Sequence, residues 1–181
     1  MTTAGGAVTV AKWRCMSIQQ LSATYSPDED RLMFRFNTAQ GDEYRVWLTR
    51  FLCAQLLGNA QEGVVQILSE KFGGTAAQTI AGFRNEAAER TTDFKVPFSE
   101  PKNLPLGDKP VLVRKIKMER EGPLRMKFIL VDGRVVTINL NEAMLRSMSL
   151  LLKRLVKQAN WGLETDEPAP AEQSSATGVL H

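Results

Sequence analysis

One spacing constrains this chain more than any other feature: a strand–turn–strand–helix pattern returns 92 positions later without a gap. Leu32, Phe34 and Phe36 correspond to Leu124, Met126 and Phe128, and Gly41 corresponds to Gly133. Val46 and Leu48 correspond to Ile138 and Leu140, Thr49 to Asn141, and Leu52 and Leu56 to Met144 and Met148. Alternation makes any two β-meanders look alike, since side chains point to opposite faces in turn. It does not produce agreement in turn length, glycine position, helix cap and helix phase together. The spacing predicts an internally duplicated α+β fold, each unit an antiparallel β-meander of three or four strands followed by a helix. The first strands agree less well, because the same shift sets Thr24 on Ile116, which predicts a one-residue slip or bulge there.

Around this repeat the chain divides into a flexible N-terminus (1–11), a first unit (12–74), a helix and connector (75–110), a second unit (111–163) and a disordered acidic tail (164–181). In the first unit, strands are predicted over 15–25, 32–36 and 44–48, separated by the Ser26–Asp30 and Ala39–Asp42 turns. Thr49 is a helix N-cap, and apolar residues at helical spacing run on to Gly73-Gly74. Gly58 and Gly63 weaken the case for one straight helix, each costing about 1 kcal/mol relative to alanine. A second helix is predicted over 76–90, capped by Thr75. Pro97, Pro101, Pro105 and Pro110 exclude regular helix and mark an extended connector. In the second unit, strands are predicted over 111–121, 124–131 and 135–140, with a hairpin at Asp132-Gly133. Asn141 caps a helix over 142–161, with Leu140 and Leu145 placed as a hydrophobic staple. The tail is too rich in Pro, Ala, Glu and Ser to order itself by apolar burial.

Composition removes several function classes. The single histidine is His181, at the end of the tail, so histidine acid–base chemistry and histidine metal sites are not expected. Asp28-Glu29-Asp30 lies in a turn after Pro27 and reads as a solvated loop. Gly5-Gly6 and Gly73-Gly74 lack the strand, helix and lysine of a phosphate loop. No catalytic residue, metal, cofactor or small-molecule substrate is expected. Cys15 and Cys53 form no close-spaced motif and read as thiols of a reducing compartment. No apolar run approaches the ~18 residues of a membrane span. The expectation is a cytoplasmic, non-enzymatic protein.

The charge is unevenly spread. Residues 1–108 carry 11 Lys and Arg against 12 Asp and Glu, residues 109–163 carry 12 against 4, and residues 164–181 carry 0 against 4. A basic second half points to an anionic partner, or to an ordinary solvated surface. Separating the strand faces puts Leu32, Phe34, Phe36, Tyr44, Val46 and Leu48, and their counterparts from Leu124 to Leu140, on the side facing the helices. The opposite side then carries Arg35, Arg45 and Trp47 in the first unit, and Arg125, Lys127, Thr137 and Asn139 in the second, with Lys115 and Lys117 on the neighbouring strand. Cations that follow phosphates beside a tryptophan on which bases stack suit single-stranded DNA or RNA. The acidic tail is then a competitor for the same surface. Trp47 equally suits burial between units or subunits. That alternative is a scaffold whose sheet faces make a homo-oligomeric or partner interface.

A repeated strand meander plus helix resembles the Whirly and PUR-type single-stranded nucleic-acid-binding folds, over residues 15–72 and 111–161. The resemblance implies binding through the sheet surface. Those folds use four strands per unit where three are legible here, and the lysine-glycine-lysine-alanine signature of plant Whirly proteins is absent. No individual binding residue is carried over.

Overall fold

Strict alternation over two stretches of chain forces each to bury one side of its strands, and the way they do so is by closing on each other. The computed structural model describes residues 16–91, 97–120 and 123–163. The expected flexible N-terminus and acidic tail lie outside them. In chain order come β1 (Met16–Ser26), β2 (Arg31–Thr38), β3 (Glu43–Leu48), α1 (Arg50–Phe72) and α2 (Gly74–Thr91). They are followed by β4 (Val111–Glu119), β5 (Arg125–Leu130), β6 (Val135–Asn139) and α3 (Glu142–Gln158). The protein is thus α+β, with six strands and three helices among the described residues, and each meander has three strands.

The six strands form one closed barrel in sequence order. Pairing is antiparallel within each meander, while β3 pairs with β4, and β6 with β1, in parallel. The expected apolar face is therefore the barrel lumen, not the underside of an open sheet covered by a helix. Phe34 and Phe36 of β2 approach Phe128 of β5 with ring centroids 6.2 and 6.1 Å apart, although these strands are not neighbours. Only side chains pointing inward across a closed barrel can meet that way. With Leu32, Val46, Met126, Leu130 and Ile138 also fully buried, the lumen is packed solid.

The halves share their registers in detail. Phe34 opposite Val46 and Phe36 opposite Tyr44 recur 92 residues on as Met126 opposite Ile138 and Phe128 opposite Val136. For the first strands the offset is 95: Leu21 opposite Phe36 becomes Ile116 opposite Phe128. The misfit is thus a three-residue offset, taken up between the first and second strands of each half; of the slip or bulge expected, the bulge is present and the one-residue slip is not. Each first strand also has an irregularity, at Ile18/Gln20 and at Val113/Lys115. The extra residue switches the inward phase from Ile18 to Leu21, Ala23 and Tyr25, and from Val113 to Ile116 and Met118.

The caps fall where the sequence puts them. Thr49 Oγ1 accepts from Leu52 N at 3.4 Å, and Asn141 Oδ1 from Met144 N at 2.8 Å. The α1 helix runs unbroken through Gly58 and Gly63. Gly63 faces α3, where an added Cβ would stand 3.1 Å from Leu145 Cδ1 and 3.3 Å from Leu124 Cδ2. The local helix penalty is accepted because a larger residue would hold the two helices apart. Gly73, at φ +83, turns the chain into α2, which begins at Gly74, so Thr75 lies inside that helix and not at its cap.

A buried ion pair ties the helices together. Arg146, almost fully buried, donates to Glu142 Oε1 at 2.8 Å, to Asn85 Oδ1 at 2.7 Å and to the Ala81 carbonyl at 3.2 Å. Burial would push the Glu142 carboxyl up, but hydrogen bonds from Arg84 and Arg146 hold it below its ordinary 4.5. A depressed carboxyl contributes stability that is present at neutral pH and lost as pH falls through its folded-state value. Glu142→Ala, which strands Arg146, is expected to cost about 3 kcal/mol in urea unfolding at pH 7. Its deficit should shrink as pH falls below 4.5 and on through the lower folded-state value, and an undiminished deficit there would contradict the ion-pair account.

Candidate nucleic-acid interface

The outward side chains of the barrel form two surfaces related by the same offsets. On the first, Arg35 of β2 stands directly opposite Arg45 of β3, and Met33 opposite Trp47. On the second, Lys117 of β4 stands opposite Lys127 of β5, and Glu119 opposite Arg125. Lys115 is opposite Ile129, beside them on β4. Like charges placed directly across a strand pair repel, so each surface needs something to answer them.

On the first surface the answer is the connector. The Arg35 guanidinium lies 4.1 Å from the centroid of the Phe98 ring. Arg45 donates to Glu43 Oε1 at 2.5 Å and to the Asp108 carbonyl at 3.1 Å. Gln20 accepts from Ser99 N at 2.9 Å and donates to the Pro97 carbonyl at 3.3 Å. Further along, Glu43 N donates to the Asn103 carbonyl and Lys102 N to the Gly41 carbonyl, each at 2.9 Å. Residues 97–108 thus run across the outside of β1, β2 and β3. Arg35 and Arg45, expected as exposed cations, are half-buried and engaged. Four prolines predicted an extended chain; nothing in them said where it would lie.

The second surface has no such cover among the described residues. Lys115 and Lys117 are exposed, and Lys127 and Arg125 are half-buried. Lys127 Nζ is 2.5 Å from Glu119 Oε2. The hydrogen bond from Lys127, then the charges of Lys127, Arg125 and Lys117, hold the Glu119 carboxyl below its ordinary value. That carboxylate reports a local field set by three cations, Lys117, Arg125 and Lys127. Trp47 joins this side more closely than the sequence indicated. It pairs with Leu112 of β4 at the parallel seam, three residues before Lys115, and is half-buried there. The structure therefore places Trp47 at the border of the two surfaces, two residues from Arg45 on β3 and across the seam from β4.

Other chemistries find little support in the described residues. No group of three or more His, Cys, Asp or Glu is placed to hold a metal ion among them. Cys53 is free and buried, and burial pushes its thiol up to about 12. Of the chain's two cysteines, at most one should therefore react with a thiol reagent at pH 8 before unfolding, and two after it. Two fast-reacting thiols in the native protein would contradict this. No helix among the described residues is long and apolar enough to cross a membrane. Compared with protein-family models, curated proteins and solved structures, the chain matches none.

Proposed function

We propose that this chain is a non-enzymatic single-stranded nucleic-acid-binding protein that works through the outer surface of β4 and β5. The observation that carries the reading is the cluster of Lys115, Lys117, Arg125 and Lys127 on one outward surface, Lys115 and Lys117 exposed among the described residues, with Trp47 at its border. Its cations follow a phosphate backbone, and the indole face offers a base a stacking surface worth about 1–3 kcal/mol. Arg35 and Arg45 serve instead to hold the connector. The test is fluorescence anisotropy with a labelled dT20 and with a duplex of equal length, at several salt concentrations. Tighter binding of the single strand, falling steeply with salt, is expected. No binding of dT20 at about 20 mM salt sinks the proposal.

Glu119 tunes this surface from within. Glu119→Gln removes a carboxylate that lies among these cations and should tighten dT20 binding about threefold, since a neighbouring anion repels phosphate. Unchanged or weaker binding would place the ligand elsewhere.

The reading also takes the two halves as duplicates of one β-meander-and-helix unit. Its support is the common register, the paired irregularities and the paired caps. Likeness to the Whirly and PUR-type folds remains one of topology, with three strands per unit here. A free buried Cys53 fits a cytoplasmic setting. A second reading, a scaffold that pairs with itself or a partner, has one observation in its favour. Phe51 and Phe83 are 74% and 70% exposed on α1 and α2, so such a contact would use the helices, not the sheet surfaces. A change of solution mass on Phe51→Ser with Phe83→Ser would select it.

A further inference from the structure

We infer that Arg114, turned outward by the irregularity in β4, is a further nucleic-acid-binding residue. It grips the phosphate of the nucleotide whose base stacks on Trp47, and so fixes one end of the bound strand's path along β4. This role rests on the nucleic-acid reading of the β4–β5 surface.

A regular strand turns one of any two neighbours inward. Between Val113, opposite Leu130, and Lys115, opposite Ile129, β4 carries one residue more than β5, and that residue is Arg114. Val113 and Ile116 are buried, so the two residues between them, Arg114 and Lys115, both face out and are exposed. Bulges re-aim side chains in this way beside binding sites. A guanidinium and an ammonium group side by side repel, and an anion shared between them offsets that repulsion.

The bulge also sets Arg114 next to the indole. Trp47 pairs with Leu112 across the parallel seam, and Arg114 is the next outward residue along β4, roughly 7 Å beyond Leu112. Lys117, opposite Lys127, continues the line in the same direction. Indole, guanidinium and ammonium groups thus follow one another along one face. That order fits one nucleotide and the phosphates after it: the ring under the base, the planar fork on the adjoining phosphate, point charges on the next. The first half shows the same bulge serving as a handle. At the corresponding place in β1, Gln19 is the extra residue. Gln20 beside it accepts from Ser99 N at 2.9 Å and donates to the Pro97 carbonyl at 3.3 Å. An amide, donor and acceptor at once, suits a peptide backbone. In β4 the two glutamines are replaced by Arg114 and Lys115, which only donate and so suit a backbone of phosphates.

The test is a double-variant cycle in the full-length protein, read by anisotropy of labelled dT20 at about 100 mM salt. Arg114→Gln should weaken binding about fivefold and lower the salt slope by about 0.7, as one lost phosphate contact does. Trp47→Leu should weaken it about tenfold. Together they should lose about tenfold, not the roughly fiftyfold of independent contacts, because a nucleotide released from the indole no longer holds its phosphate at Arg114. Arg114→Lys should restore the salt slope without the full affinity. An abasic strand of the same length leaves the half-buried Trp47 untouched and gives a second reading: with no base to stack, Arg114→Gln should cost less than about twofold. Additive losses in the cycle, or an undiminished loss on the abasic strand, would make Arg114 one more cation in the field and overturn the assignment. So would no loss from Arg114→Gln while replacing Lys115, Lys117 and Lys127 together still weakens binding, an outcome that leaves the nucleic-acid reading standing. A wild-type protein that does not bind dT20 takes both down.

Discussion

Replacing Lys115, Lys117 and Lys127 together by glutamine is expected to lower affinity for dT20 roughly 100-fold at about 100 mM salt, because three phosphate contacts are lost. The slope of log affinity against log salt should fall by about 2, at ~0.7 per contact on a single strand. The variant should fold normally. Lys115 and Lys117 are exposed, and removing Lys127 with Lys117 relieves a like-charge pair while it breaks only the surface bridge to Glu119. Arg35→Gln is the control. Its guanidinium rests on Phe98 beneath the connector, so affinity should change little. An equal loss from Arg35→Gln would mean that the ligand displaces the connector and that the first surface is the site.

Phe128→Ala is expected to lower unfolding free energy by 3–5 kcal/mol (roughly), the largest effect of any single change considered, measured by urea denaturation. Phe128 is fully buried and touches Phe34 and Phe36 across the lumen, so its ring is where the two halves meet. Strands fixed around a closed barrel cannot collapse onto the void as an open sheet can. The loss should therefore sit at the upper end for a buried ring. A loss under about 1 kcal/mol would indicate that the halves pack without this contact. Phe128→Leu, which keeps most of the volume, should recover more than half of the deficit.

Arg35, Arg45, Trp47, Arg125 and Lys127 alternate with buried neighbours as the period-two pattern predicts, whereas Thr137, expected on the same outer face, is buried. Their availability was not legible. Arg35 and Lys127 occupy corresponding positions and look alike in the sequence, yet one lies under Phe98 and the other borders the open surface. The difference comes from a connector 60 residues downstream of Arg35, whose landing place depends on Gln20, Gly41, Glu43 and Arg45 acting together. Gln20 was one polar residue among several in β1, and no local pattern marks it as a clamp. Glu43 likewise reads as an ordinary strand-edge acid, though it is buried against Arg45.

What the sequence determined by itself was local and periodic. Alternation set the strands and their inward faces, Thr49 and Asn141 set the helix starts, and the 92-residue spacing set the likeness of the two halves. Those signals lie within a few residues of the atoms they position, so one chain segment is enough to read them. The tertiary structure alone decided that two meanders close into one barrel, because the parallel β3–β4 and β6–β1 seams join strands with no local connection. It also decided the three-residue offset of the first strands, since Leu21 lies 15 residues from its partner Phe36 but Ile116 only 12 from Phe128. And it decided that the two outward surfaces differ: among the described residues only the first lies beneath the connector.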